Sequence, residues 1–171
     1  MRRLMLLRHA KSSRPEGIED HARPLARRGR LESPWMGRYM ADEGLRPDLA
    51  VVSTARRAQE TWELARPAFV EDVVQHNERR VYQASASAIL KVIHETARGK
   101  DLLLLVGHNP GLHDLALGLI GTANQSELAR LQRKFPTAGL VVIDFDIEDW
   151  NQASLARGHL ERFETPKSAG E

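Results

Sequence analysis

The stretch LMLLRH at residues 4–9 decides the fold of this 171-residue chain. Its four consecutive apolar residues predict a strand buried on both faces, as in the parallel sheets of α/β proteins. The strand stops abruptly at Arg8 and His9. The stretch LLLLVGHN at residues 102–109 repeats the design, with an apolar run that ends before His108 and Asn109. We expect this second run to be the central strand.

Short apolar runs alternate with longer amphipathic segments along the rest of the chain, which predicts an α/β fold. We expect three layers, α/β/α, around a mostly parallel central sheet. Further strands are predicted at residues 49–52, 73–74, 140–145 and 160–163, the last at an edge. Helices are predicted at residues 28–43, from the N-cap Ser53 to Pro67, and at residues 86–97, 111–120 and 126–133. The polar segment at residues 11–23 is predicted to be a surface loop.

Length and composition predict a single domain over residues 1–165 and a polar tail over residues 166–171. The chain has no cysteine, which excludes disulfides and thiolate catalysis. The 25 Lys and Arg nearly balance the 23 Asp and Glu, so we expect no nucleic-acid partner. The apolar run at residues 4–7 is too short for a membrane span. We therefore expect a cytoplasmic protein without a membrane partner, and a monomer or weak dimer if the edges near Val73 or Leu160 pair.

Polar residues follow three of the predicted strands: Arg8 and His9 the first, Ser53 with Arg56 and Arg57 the second, and His108 and Asn109 the central one. In open α/β sheets ligands bind at the carboxyl ends of the strands, so these residues should meet. Histidines and arginines without a carboxylate favour an anion with several oxygens, such as phosphate. A histidine there can also be a nucleophile that carries the phosphoryl group before water removes it.

These residues resemble known motifs of the histidine phosphatase (phosphoglycerate mutase-like) superfamily. Residues 7–12 (LRHAKS) resemble its R-H-G signature, with Ala10 where Gly is commoner. Residues 53–61 (STARRAQET) resemble its S-x-x-x-R-A-x-x-T segment, and residues 106–111 (VGHNPG) its second histidine motif. Arg23-Pro24-Leu25 followed by Gly29, with the short length, is similar to SixA-type phosphohistidine phosphatases.

The resemblance implies a phosphoglycerate mutase-like fold and a role for each matching residue. It makes His9 the phosphorylated nucleophile, with Arg8 beside it as a phosphate clamp. His108 takes the place of the second histidine, which bonds the phosphoryl oxygens. Arg57 matches the second arginine by its distance from Ser53. These four residues are the expected catalytic set.

Other site assignments are secondary. Arg56 lies next to Arg57, but neighbours on a helix point about 100° apart, so only one of the two should face the site. Ser12 and Asn109 are expected to support the phosphate, although Asn109 is equally well explained as a helix cap. No metal and no cofactor is expected. The pair His113 and Asp114 lacks the spacing of a metal site.

One role of the family, the general acid, has no clearly matching residue in this sequence. Members that act on alcohol phosphates use a Glu as general acid, and Glu78 is the candidate here. It stands among charged residues, so we interpret it as a solvated loop residue. A phosphorylated imidazole leaves more easily than an alkoxide and needs less help from an acid. The absence of a clear general acid therefore favours a phosphohistidine protein as the substrate.

Two alternatives stay open at this stage. The first is the same chemistry on small phosphomonoesters, with mutase activity less favoured. The second is a non-catalytic module that binds phosphoproteins. The remaining histidines are interpreted as exposed surface residues: His21, His76, His94 and His159.

Overall fold

The computed structural model describes residues 1–166, which form an α/β fold around one seven-stranded sheet. The strands are β1 (Arg2–Arg8), β2 (Leu49–Ser53), β3 (Gln75–Glu78), β4 (Leu102–Gly107), β5 (Ile120–Thr122), β6 (Leu140–Phe145) and β7 (Gly158–Glu164). The helices are α1 (Arg27–Asp42), α2 (Arg56–Ala65), α3 (Ala86–His94), α4 (Gly111–Leu119) and α5 (Gln125–Arg133).

The sheet is mostly parallel, as predicted. Its strand order is β3-β2-β4-β1-β6-β7-β5, and only β6 runs antiparallel to its neighbours. The run at residues 4–7 is buried on both faces because side chains alternate along a strand. Leu4 and Leu6 pack in the core that includes α3 and α4, whereas Met5 and Leu7 pack in the core that includes α1 and α2. The three-layer prediction is therefore confirmed.

Several local predictions are wrong. The central strand is β1, which has three strands on each side, and not β4 as predicted. β4 lies next to it, between β1 and β2. β7 is not an edge strand, since the unpredicted β5 covers it. Ser53 ends β2 instead of capping α2, which begins three residues later. The strand predicted at residues 73–74 lies just downstream, as β3 at an edge of the sheet.

The loop after β1, at residues 11–23, lies at the surface as predicted, and its backbone is also anchored by hydrogen bonds. The backbone nitrogen of Ala26 donates to the carbonyl of Lys11 at 2.9 Å, and that of Ser13 donates to Pro24 at 2.9 Å. α1 approaches so closely that a Cβ at Gly29 would lie 2.2 Å from the Lys11 oxygen. Only glycine fits there, so the loop is held against α1 and bends back over the ends of the strands.

The predicted tail at residues 166–171 lies outside the described residues, apart from Pro166, and the single-domain assignment stays a prediction. Within residues 1–166, no helix is both long and apolar enough to cross a membrane.

Candidate active site

A cavity of about 320 Å³ opens at the carboxyl ends of β1 and β4, and we call it the strand-end cavity. The anchored loop, α2 and the β4–α4 connection close its sides. It brings together all six residues that the sequence assigned to the site. Its lining consists of Arg8, His9, Lys11, Ser12, Arg14, Asp20, Arg23, Arg57, Gln83, His108, Asn109 and Thr137.

His9 follows β1 and is 7% exposed. Its Nδ1 lies 2.8 Å from the Ala10 carbonyl oxygen. A carbonyl only accepts, so Nδ1 carries the proton and Nε2 keeps a free lone pair. Burial, with smaller effects from Arg57 and Arg8, lowers the pKa of His9 to about 4. The imidazole is therefore neutral near pH 7, the state that a nucleophile requires.

His108 stands opposite His9, with the two ring centroids 5.1 Å apart. Its Nε2 lies 2.7 Å from the hydroxyl of Ser53 at the end of β2. Burial first, then the neighbouring His9 and Arg57, lowers the pKa of His108 to about 3. Three strand ends thus hold two neutral imidazoles against each other.

The two adjacent arginines of α2 have separate positions. Arg57 is 5% exposed and lines the cavity. Arg56 points outward, with 57% of its side chain exposed, and pairs with Glu60 at 3.0 Å. The structure therefore places Arg57 at the site and Arg56 outside it, as the rotation between neighbouring helical residues requires.

The cavity wall contains buried polar atoms that have no hydrogen-bond partner among residues 1–166. They are Nε of Arg8, Nε of Arg57 and Nδ1 of His108. Arg8 makes a bond through its other end, donating to the Phe135 carbonyl at 3.0 Å. A buried polar group without a partner costs about 1–3 kcal/mol. All three atoms belong to residues that line the cavity, so these residues keep hydrogen-bonding capacity that an oxyanion can use.

Asp20 is a cavity residue that the sequence interpretation missed. It lies on a 3₁₀ turn (Asp20–Ala22) of the anchored loop. Its carboxylate accepts bonds from the Tyr82 hydroxyl at 2.5 Å, from Arg23 at 2.7 Å and from Arg57 at 3.1 Å. These three donors hold the pKa of Asp20 far below its usual range. Asp20 is a fixed anion that orients two arginines.

Ser12 and Asn109 both line the cavity, and both also have structural partners. The Ser12 hydroxyl accepts a bond from Arg23. The Asn109 amide donates to the Phe135 carbonyl at 2.9 Å, and its oxygen accepts from the His113 nitrogen at 3.2 Å. Asn109 therefore does cap α4, while facing the same cavity.

Glu78 does not line the strand-end cavity, and its interpretation as a solvated loop residue is wrong. It ends β3, is 8% exposed and is bonded by Arg80 at 2.8 Å. This bond lowers the pKa of Glu78 to about 2. It belongs to a second cavity, the β3 cavity, which is lined by Leu49, Val51, His76, Glu78, Arg80, Val92, Glu95, Thr96 and Ala97.

The other histidines have ordinary partners. His21 is not simply exposed, because its Nε2 lies 2.9 Å from the Thr54 hydroxyl and its ring packs edge-on against Tyr82. His113 bonds the Leu131 carbonyl, and His94, half-buried rather than exposed, bonds that of Ala153. Among residues 1–166, no group of three or more His, Asp or Glu is arranged to hold a metal ion.

Sequence relatives cover most of the chain. No protein-family model matches it. An uncharacterized protein of Mycobacterium tuberculosis is 35% identical over 139 residues, which are 80% of this chain and 85% of the relative. An uncharacterized protein of Mycobacterium leprae is 32% identical over 166 residues, 94% of this chain and 100% of the relative.

Solved structures share the fold and connect it to an activity. A protein of Agrobacterium tumefaciens, provisionally named phosphohistidine phosphatase SixA, has a TM-score of 0.82 and 31% identity, over 96% of this chain and 98% of that one. A second protein with the same provisional name, from Nakamurella multipartitia, has a TM-score of 0.82 over 96% of each chain, at 23% identity. The chain therefore belongs to the histidine phosphatase superfamily, as a phosphatase of the SixA type.

Proposed function

We propose that this phosphatase hydrolyses the P–N bond of phosphohistidine in a protein substrate, through a phosphoryl intermediate on His9. One observation carries the proposal. The carboxylate that lines the strand-end cavity, Asp20, is held ionised by Tyr82, Arg23 and Arg57, and so has no proton to give. Glu78 lies in a different cavity. Among the described residues, no carboxylic acid at the site serves an alkoxide leaving group.

The first step transfers the phosphoryl group to the enzyme. The lone pair on Nε2 of His9 attacks phosphorus, and the P–N bond of the substrate breaks. When the other ring nitrogen of the substrate imidazole carries a proton, the leaving group departs as neutral imidazole. It then needs no acid from the protein, in contrast to an alkoxide.

The second step uses the same hydrogen bond at His9. The bond from Nδ1–H to the Ala10 carbonyl keeps a proton on the ring while Nε2 carries the phosphoryl group. Water attacks phosphorus, the N–P bond breaks, and its electron pair returns to Nε2. Neutral imidazole is again the leaving group, and the two water protons leave with dihydrogen phosphate. The step needs no further base.

Arginines and His108 hold the phosphoryl oxygens in both steps. Arg8, Arg57 and His108 line the cavity, and each has a polar atom without a hydrogen-bond partner among residues 1–166. Donors that are oriented in advance stabilise the charge spread over the equatorial oxygens of the transition state. Ser12 and Asn109 are proposed as supporting contacts.

Turnover of a phosphohistidine-bearing protein, compared with p-nitrophenyl phosphate and small alcohol phosphates, tests the substrate class. We expect the phosphohistidine protein to have the highest kcat/KM. Phosphate trapped on the wild-type chain should be acid-labile and base-stable, and should be absent from His9→Ala. Preference for alcohol phosphates would overturn the P–N proposal, whereas full activity of His9→Ala would overturn the nucleophile. The matched control is His76→Ala, in the β3 cavity.

A further inference from the structure

The strand-end cavity carries more positive charge than one phosphoryl group neutralises. Five cationic side chains line it, Arg8, Lys11, Arg14, Arg23 and Arg57, against the single carboxylate of Asp20. The two histidines are neutral near pH 7, since their pKa values lie at about 4 and about 3. A dianionic phosphoryl group therefore leaves a formal surplus of two positive charges.

The surplus belongs to two residues at the rim. Arg23 and Arg57 are both bonded to Asp20, and Arg8 and Arg57 are the proposed phosphoryl contacts. Lys11 and Arg14 are exposed, and their side chains form no ion pair or hydrogen bond with residues 1–166. Arg56, by contrast, is exposed outside the cavity and pairs with Glu60. Lys11 and Arg14 face the cavity.

The backbone that carries this pair is fixed. The Lys11 carbonyl accepts a bond from Ala26, and the backbone of Ser13, next to Arg14, bonds that of Pro24. The close approach of Gly29 clamps the same segment from the side of α1. The backbone positions from which the two side chains extend are thus set relative to His9 before a substrate binds, which lowers part of the cost of ordering them.

We propose that Lys11 and Arg14 form a subsite for a second anionic group of the substrate, beside the transferred phosphoryl group. The inference rests on the proposed function and narrows its substrate class. In a protein substrate, the second group is a carboxylate flanking the phosphohistidine. In a small molecule, it is a second phosphate. Both present oxygens that a guanidinium and an ammonium bind.

Two phosphohistidine peptides that differ only in flanking Glu or Gln residues test the subsite. We expect the wild type to favour the Glu peptide by about tenfold in kcat/KM, the scale of one or two partly exposed ion pairs, and less at high salt. Lys11→Met/Arg14→Met should bring that ratio close to one, and Lys11→Glu/Arg14→Glu should invert it. Lys91→Met/Arg38→Met, which removes two exposed cations away from the cavity, should keep the wild-type ratio.

A second arm uses an alcohol monophosphate and the bisphosphate of the same alcohol. Loss of the Glu-peptide preference alone in the double Met variant assigns the subsite to a protein carboxylate, and loss of the bisphosphate preference alone assigns it to a second phosphate. A wild type without either preference, or a double Met variant that keeps every preference of the wild type, overturns the subsite. If the wild type hydrolyses neither peptide, the P–N proposal is overturned. The comparison of the monophosphate with the bisphosphate then still tests the subsite.

Discussion

Two cavities have nearly equal volumes, about 320 Å³ at the strand ends and about 310 Å³ beside β3, but they differ in how their charged side chains are paired. In the β3 cavity Arg80 bridges Glu78 and Glu95 at 2.8 Å each. The charged side chains of this cavity are thus paired with one another. In the strand-end cavity one carboxylate faces five cations. Charges that are paired internally stabilise the fold, whereas a surplus of one sign marks where an anion binds.

Arg57 gives the largest expected effect on the strand-end cavity. Arg57→Met removes a guanidinium proposed to hold the phosphoryl group, and we expect kcat/KM to fall by about 10²–10³-fold, the cost of losing one oriented donor. Arg56→Met changes the adjacent residue outside the cavity and should stay within about twofold, as surface substitutions do. Steady-state kinetics on the same substrate compares them. Equal losses would contradict the separation of the two side chains.

Asp20 tests whether an internal anion is needed in the cationic cavity. Asp20→Asn removes the charge that orients Arg23 and Arg57, and we expect kcat to fall by about tenfold from misplaced contacts. The same change frees Arg57, so inorganic phosphate should inhibit more tightly. A merely structural role would weaken phosphate binding instead. Asp20→Glu, which keeps the charge, should recover part of kcat.

The titration of the two buried histidines tests the electrostatics of the same cavity. Burial and nearby arginines disfavour the imidazolium, so His9 should stay neutral above a pKa of about 4 and His108 above about 3. NMR titration of their ring protons should show no charge change between about pH 5.5 and 8. Arg57→Met removes a cation and should raise both pKa values. A His9 midpoint near its ordinary 6.5 would contradict the assigned burial.

The sequence was sufficient for the residues at the strand ends. Apolar runs that stop at Arg8 and at His108 mark buried strands, and the carboxyl ends of parallel strands meet whatever the loops do. Helical rotation predicts that only one of Arg56 and Arg57 faces the site, and the resemblance to the family motif selects Arg57.

The residues that the sequence did not reveal depend on contacts between distant segments. Asp20 meets Arg57 37 positions away and Tyr82 62 positions away. No local pattern predicts contacts between residues so far apart. The sequence therefore does not show that the polar loop at residues 11–23 is anchored. Glu78 was misinterpreted because its partner Arg80 also bonds Glu95, 15 positions further along the chain, in one ion-pair network.

Glu78 gives the smallest expected effect on activity and tests the paired cavity. Glu78→Gln should leave phosphatase activity within about twofold, because the side chain is outside the strand-end cavity, but should lower the free energy of unfolding by about 1–3 kcal/mol at pH 7. The pKa of Glu78 is lowered from 4.5 to about 2, so the carboxylate stabilises the folded state above about pH 4.5. The titratable or charged groups that line the cavity beside it are His76, Arg80 and Glu95. The stability difference measured by urea unfolding should therefore shrink as the pH falls toward 2. Loss of alcohol phosphate turnover with unchanged stability would instead make Glu78 the general acid, and would remove the argument for P–N cleavage.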